Sequence, residues 1–114
     1  MGKRRLVDLH PLWVGVDTDP DGSDGVYAEG VEAGVARGLS FLCPSCENVR
    51  TSLRIPGHRI TIWWKPPTWM GKKTPTWKMT GASFAELTLH PSVNAVPSGY
   101  CLFHGWVKSG EVSW

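Results

Sequence analysis

Long apolar runs are missing from this 114-residue chain. A helix needs about 20 consecutive apolar residues to cross a bilayer, and even the apolar N-terminal stretch is broken by Asp8, His10 and Pro11. Gly2 is followed by Leu6 where a myristoylation signal takes Ser or Thr. The expectation is a soluble, cytoplasmic protein with no membrane partner. Cysteine is scarce, and the three present are an odd number, so a disulfide framework leaves one thiol over. The compact signatures of catalysis are missing too: there is no glycine-rich phosphate loop, no elbow around a nucleophilic serine and no His-Glu-x-x-His. Outside the N-terminal region and the cysteine–histidine pairs below, the acid–base candidates are Glu47, His58, Glu86, His90 and Glu111. Ser92, close to His90, reads as a turn residue after Pro91.

What is present suits one small β-rich domain. A hydrophobic fraction of 41% with 19% charged residues is a foldable composition. The 13 Gly and nine Pro favour short strands and turns over long helices. Leu12 to Val16 reads as a strand entering a turn at Asp17–Gly25. The stretch 29–38 is at best a weak helix, because each interior Gly costs about 1 kcal/mol. Leu39 to Cys43, Val49 to Ile55 and Ile60 to Trp64 read as strands, followed by a loop from Pro66 to Pro75. Thr76 to Thr80 and Phe84 to Leu89 form a further pair. Leu102 to Val107 and Glu111 to Trp114 make a hairpin turning through Lys108-Ser109-Gly110. Asp17, Asp19, Asp21 and Gly22 mimic the start of a calcium loop, but Ala28 stands where its bidentate Glu belongs; an acidic turn is the better reading.

Cys43-Pro44-Ser45-Cys46 and Cys101-Leu102-Phe103-His104 are two pairs of equal spacing far apart in the chain. Three thiolates and an imidazole suit tetrahedral Zn2+, and four protein ligands leave no open position, so such a site is structural. The fold expectation is therefore mostly β: a small single-domain β fold stapled by a Cys3His zinc site through Cys43, Cys46, Cys101 and His104. Residues 39–114 form the zinc-stapled domain, and residues 1–38 an acidic N-terminal segment packed on it.

The net charge of +2 conceals an asymmetry. Residues 1–32 are acidic, whereas residues 33–90 hold eight basic and two acidic side chains. In that basic stretch Trp64, Trp69 and Trp77 alternate with Arg59, Lys65, Lys72, Lys73 and Lys78. Aromatic rings among cations suit a protein interface or single-stranded nucleic acid. These eight residues are the candidate partner-binding surface, with a protein partner ranked ahead of nucleic acid.

The order CPSC, TWKMTG, LTLHPSV and GYCLFHGWVKSGEVSW resembles a family of small bacterial and phage proteins of unknown function. Members carry a Cys-Pro knuckle, a Pro-Ser-Ile/Val segment, then Gly-Cys-x-x-His-x-Trp-Ile and a terminal Gly-x-Ile-x-Trp; some of their genes accompany bacterial ubiquitin-like modification systems. The resemblance covers roughly residues 39–114. It implies a shared zinc site at Cys43, Cys46, Cys101 and His104, and it aligns Pro91, Ser92 and Val93 with the Pro-Ser segment and Trp106 with the family's Trp. Tyr100, between Gly99 and Cys101, departs from the pattern. The resulting expectation is a non-catalytic zinc-binding accessory or adaptor protein that recognises another protein. The alternatives are a single-stranded nucleic-acid-binding zinc module and a metal-dependent hydrolase using Glu86 and His90.

Overall fold

The computed structural model describes residues 2–44, 59–94 and 103–114. Short apolar runs punctuated by Gly and Pro produce strands here, and the helical turns are brief 3-10 pieces at Leu6–Leu9, Ala33–Val35 and Thr68–Met70. The strands are β1 (Lys3–Arg5), β2 (Leu12–Thr18), β3 (Asp24–Glu29), β4 (Gly38–Leu42), β5 (Arg59–Trp63), β6 (Lys78–Thr80), β7 (Thr88–His90), β8 (Val93–Asn94), β9 (His104–Lys108) and β10 (Glu111–Ser113). No helix among the described residues is long and apolar enough to cross a membrane.

One antiparallel sheet has the order β3-β2-β4-β5. Its strand β4 is flanked on both sides, and Gly38, Leu39, Ser40 and Phe41 are all buried. The one buried polar side chain there, Ser40, accepts a hydrogen bond from Arg59 Nε at 2.7 Å, as burial of a hydroxyl requires. The weak helix considered for 29–38 is instead the end of β3 and one 3-10 turn. The acidic turn after β2 is self-contained: Ser23 Oγ donates to Asp21 Oδ1 at 2.6 Å, and Gly22 N–H to the Asp19 carbonyl at 2.8 Å.

The second sheet has the order β1-β10-β9-β8. The β9–β10 hairpin turns through Ser109 and Gly110, both at positive φ (48° and 77°), the signature of a type I′ turn. The strand pair expected over Thr76–Thr80 and Phe84–Leu89 is shorter, with β6 pairing β7 from Lys78↔His90 to Thr80↔Thr88. Phe84 leaves the ladder and stacks on Trp13, with centroids 4.3 Å apart. The strand expected at Val49 to Ile55 lies outside the described residues.

A single apolar cluster joins the sheets. Leu39, Phe41, Ile60 and Ile62 of one meet Val93, Phe103, Val107 and Val112 from the other, with Leu6, Leu9, Leu87 and Leu89 completing it. Phe41 and Phe103 cross edge-to-face at 6.2 Å, a geometry worth about 0.5–1.5 kcal/mol beyond area burial. This fully buried pair anchors β9 and hence whatever β9 presents to solvent.

Candidate active site

Along β9, His104, Trp106 and Lys108 are exposed while Gly105 and Val107 are buried, the two-residue alternation of a half-buried strand. Strand β8 pairs antiparallel with it, Val93 opposite Gly105 and Asn94 opposite His104. Val93 is buried, so its neighbour Ser92 falls on the same outer face as His104 and Trp106. There Ser92 Oγ lies 3.3 Å from His104 Nε2. A serine hydroxyl within reach of an imidazole nitrogen is the minimal unit for base-assisted nucleophilic attack. In ligand-free sites this contact is commonly long and tightens around substrate.

Both side chains sit on rigid supports. Ser92 is held by Val93, 2% exposed, and by Trp77 Nε1–H, which donates to the Ser92 carbonyl at 3.3 Å. His104 follows Phe103, which is fully buried. Gly105 is required by close approach: a Cβ there would collide with the Ser113 carbonyl oxygen and lie 2.9 Å from Phe103 Cζ. The His104 imidazole is backed by Trp106, their ring centroids 5.5 Å apart and planes 24° from parallel. Stacking on an indole restricts the imidazole and favours any positive charge it acquires.

A family model described as bacterial ubiquitination-like system serine protease (BubE) matches residues 16–114. The chain belongs to this family. No curated protein and no solved structure matches it. Membership in BubE overturns three expectations together: the family is not one of unknown function, its name denotes a protease, and a non-catalytic zinc adaptor or a nucleic-acid-binding zinc module does not fit it. The mostly β architecture stands, but the zinc-stapled version of it does not. Among the described residues no three His, Cys, Asp or Glu side chains gather as a metal group. Of the four expected ligands, Cys46 and Cys101 lie outside the described residues. Cys43 is buried in the apolar cluster at the end of β4, and His104 is exposed and faces Ser92. Two joined sheets with one core unite the described parts of this BubE chain.

The residues expected to bind a partner do not share one setting. Trp64 is half-buried, donates Nε1–H to the Ala36 carbonyl at 3.3 Å and meets Trp13 edge-on at 6.1 Å. Trp77 packs on the core and supports Ser92. Arg59 bonds Ser40 Oγ, the Ser40 carbonyl (3.0 Å) and the His10 carbonyl. Trp69 is 54% exposed, though its Nε1–H donates to the Gly25 carbonyl at 2.8 Å. Lys65, Lys72, Lys73 and Lys78 are exposed. A half-buried ionic contact joins Arg37 Nη1 to Asp24 Oδ1 at 2.9 Å. Asp24 also accepts the Thr68 N–H at 2.9 Å. That backbone hydrogen bond first, and Arg37 second, hold the Asp24 carboxyl below its ordinary value of 3.8.

Sequence reading puts Ser92 at a turn after Pro91 and His104 in a Cys-x-x-His pair, and it does not bring the two together; the structure does, at 3.3 Å. The available signal is the strand alternation His104-Gly105-Trp106, which turns His104 outward, away from the core.

Proposed function

We propose that this chain is a serine protease acting on a protein of a bacterial ubiquitination-like system, with Ser92 as nucleophile and His104 as general base. The observation that carries the reading is the 3.3 Å approach of Ser92 Oγ to His104 Nε2 in a chain of the BubE family. In the first step His104 Nε2 takes the Ser92 hydroxyl proton as Oγ bonds to the scissile carbonyl carbon. The C–N bond then breaks, His104 returns the proton to the departing amine, and Ser92 holds the acyl group as an ester. Water, deprotonated by His104, attacks that ester and releases the acid, and the proton returns to Ser92. The imidazole carries positive charge while the tetrahedral species exists, and Trp106 stacked on it is placed to stabilise that charge.

The reading is tested with a fluorophosphonate probe, which phosphonylates activated serines. Mass spectrometry is expected to find the label on Ser92. Ser92→Ala is expected to abolish it, and His104→Gln to slow it by at least about 100-fold, the scale of general-base catalysis. A folded wild-type protein that stays unlabelled, or a label that survives Ser92→Ala, overturns the assignment.

A further inference from the structure

The outer face that carries Ser92 and His104 continues past Trp106 across β10 to β1. In register, Trp106 lies opposite Ser113, and Ser113 opposite Lys3. Two cavities of about 500 and 490 Å³ open on this face, and Lys3, Trp106 and Ser113 line both. His90 and Lys108 also line the first, and Trp114 the second. Each volume is in the range of ligand pockets, which run from about 300 to 1,000 Å³. Neither lining includes Ser92 or His104; the cavities adjoin that pair through Trp106, which lines both and stacks on His104.

Trp106 joins the two parts of this face. Its ring touches the His104 imidazole and still leaves 52% of the residue exposed, while other indoles of the chain (Trp63, Trp64 and Trp77) are buried or half-buried. An exposed aromatic wall beside a nucleophile offers an apolar surface to the next side chain of a bound substrate. With strand residues advancing about 3.3 Å each and Trp106 centred 5.5 Å from the imidazole, that side chain is one or two residues from the scissile bond. The lining is also charged. Lys3 Nζ lies 3.8 Å from Glu111 Oε1, and Lys108 stands across from the same Glu111 in the hairpin register. Two ammonium groups, Lys3 and Lys108, thus stand beside one carboxylate, Glu111, which leaves the lining positive for an incoming anion.

We infer that this groove is the substrate subsite, and that it takes an extended peptide segment with a large apolar side chain against Trp106 and a carboxylate near Lys108 and Lys3. The inference rests on the Ser92–His104 reading and names the substrate chemistry of that site.

The test uses the full chain and internally quenched octapeptides, scanned with Phe or Gly and with Glu or Lys at each position around the cleaved bond. The wild type is expected to prefer Phe to Gly at one position and Glu to Lys at another, by at least tenfold in kcat/KM. Lys108→Glu is expected to lower kcat/KM for the Glu peptide at least tenfold and to raise it for the Lys peptide. Trp106→Ala is expected to raise KM for the Phe peptide and to erase the Phe-over-Gly preference, and Trp106→Phe to restore it. Thermal unfolding of each variant establishes that it is folded. Equal Glu-to-Lys ratios in wild type and Lys108→Glu overturn the inference while leaving the nucleophile assignment intact. Failure of the fluorophosphonate to label wild-type Ser92 overturns both.

Discussion

Gly105 separates His104 from Trp106, and its replacement by alanine tests whether β9 is held as closely to β10 as the structure requires. The added methyl group would collide with the Ser113 carbonyl oxygen and press on Phe103 Cζ at 2.9 Å. Neither neighbour has room to yield. Ser113 belongs to β10, which is paired on one side with β9 and on the other with β1, and Phe103 is fully buried against Phe41. Overpacking of this kind typically costs about 1–3 kcal/mol, and with backbone on one side of the clash the upper figure, about 3 kcal/mol, applies. That is roughly 150-fold in the folding equilibrium and a large part of a domain's net stability. With an unfolding entropy of about 2.1 cal/mol/K per residue, the midpoint of thermal unfolding should fall by about 12 °C. Urea and thermal unfolding followed by tryptophan fluorescence measure the change. Labelling of Ser92 should fall too, since the displaced strand carries His104. A variant within about 0.5 kcal/mol of wild type, the range of an ordinary surface substitution, would refute the packing argument.

Two other substitutions probe the supports of the site and of the fold. Trp77→Phe removes the Nε1–H donated to the Ser92 carbonyl; a stability loss of about 0.5–1.5 kcal/mol is expected for one hydrogen bond, with a several-fold fall in Ser92 labelling rate, and an unchanged rate would mean that Trp77 does not position the nucleophile. Asp24, whose carboxyl is held below 3.8 by the Thr68 N–H and Arg37, contributes stability that is present above that range and lost as pH falls through its lowered folded value. Asp24→Asn should therefore be less stable than wild type at neutral pH, with the gap closing in acid; a gap that is constant across an acid titration followed by circular dichroism would contradict this sign.

Much of the β architecture was legible because alternation and turn residues are local. Leu12 to Val16, Ile60 to Trp64 and the final hairpin announce themselves through apolar runs and Gly or Pro boundaries, and the structure places β2, β5, β9 and β10 on them. What stayed hidden depends on pairing between distant segments. Lys3–Arg5 carries no strand signal of its own and becomes β1 only because β10 offers it an edge. Strand β8 has two residues, too few for a period to register, yet it brings Ser92 to His104. Cys-x-x-His spacing reports which donors could converge, and not that a distant serine is set beside the histidine. The settings of the tryptophans were hidden in the same way: among cations they suggest a contact surface, and the structure shows that Trp64 and Trp77 also direct their indole N–H groups to backbone carbonyls of their own chain.

The pairing of β1 with β10 joins segments roughly a hundred positions apart, and Lys3 on one strand and Ser113 on the other line both cavities beside Trp106. Contacts of such long sequence separation form slowly, because loop closure must precede any reward from pairing. Synthesis from the N-terminus makes Lys3 wait for all the intervening residues up to β10 before its partner exists. The groove wall is therefore completed late, whereas Ser92 and His104 lie twelve positions apart and meet through the β8–β9 pair. On the proposed function, a partly folded chain holds the serine and its base before the groove that would seat a substrate, so closure of β1 onto β10 is the step that would complete the site.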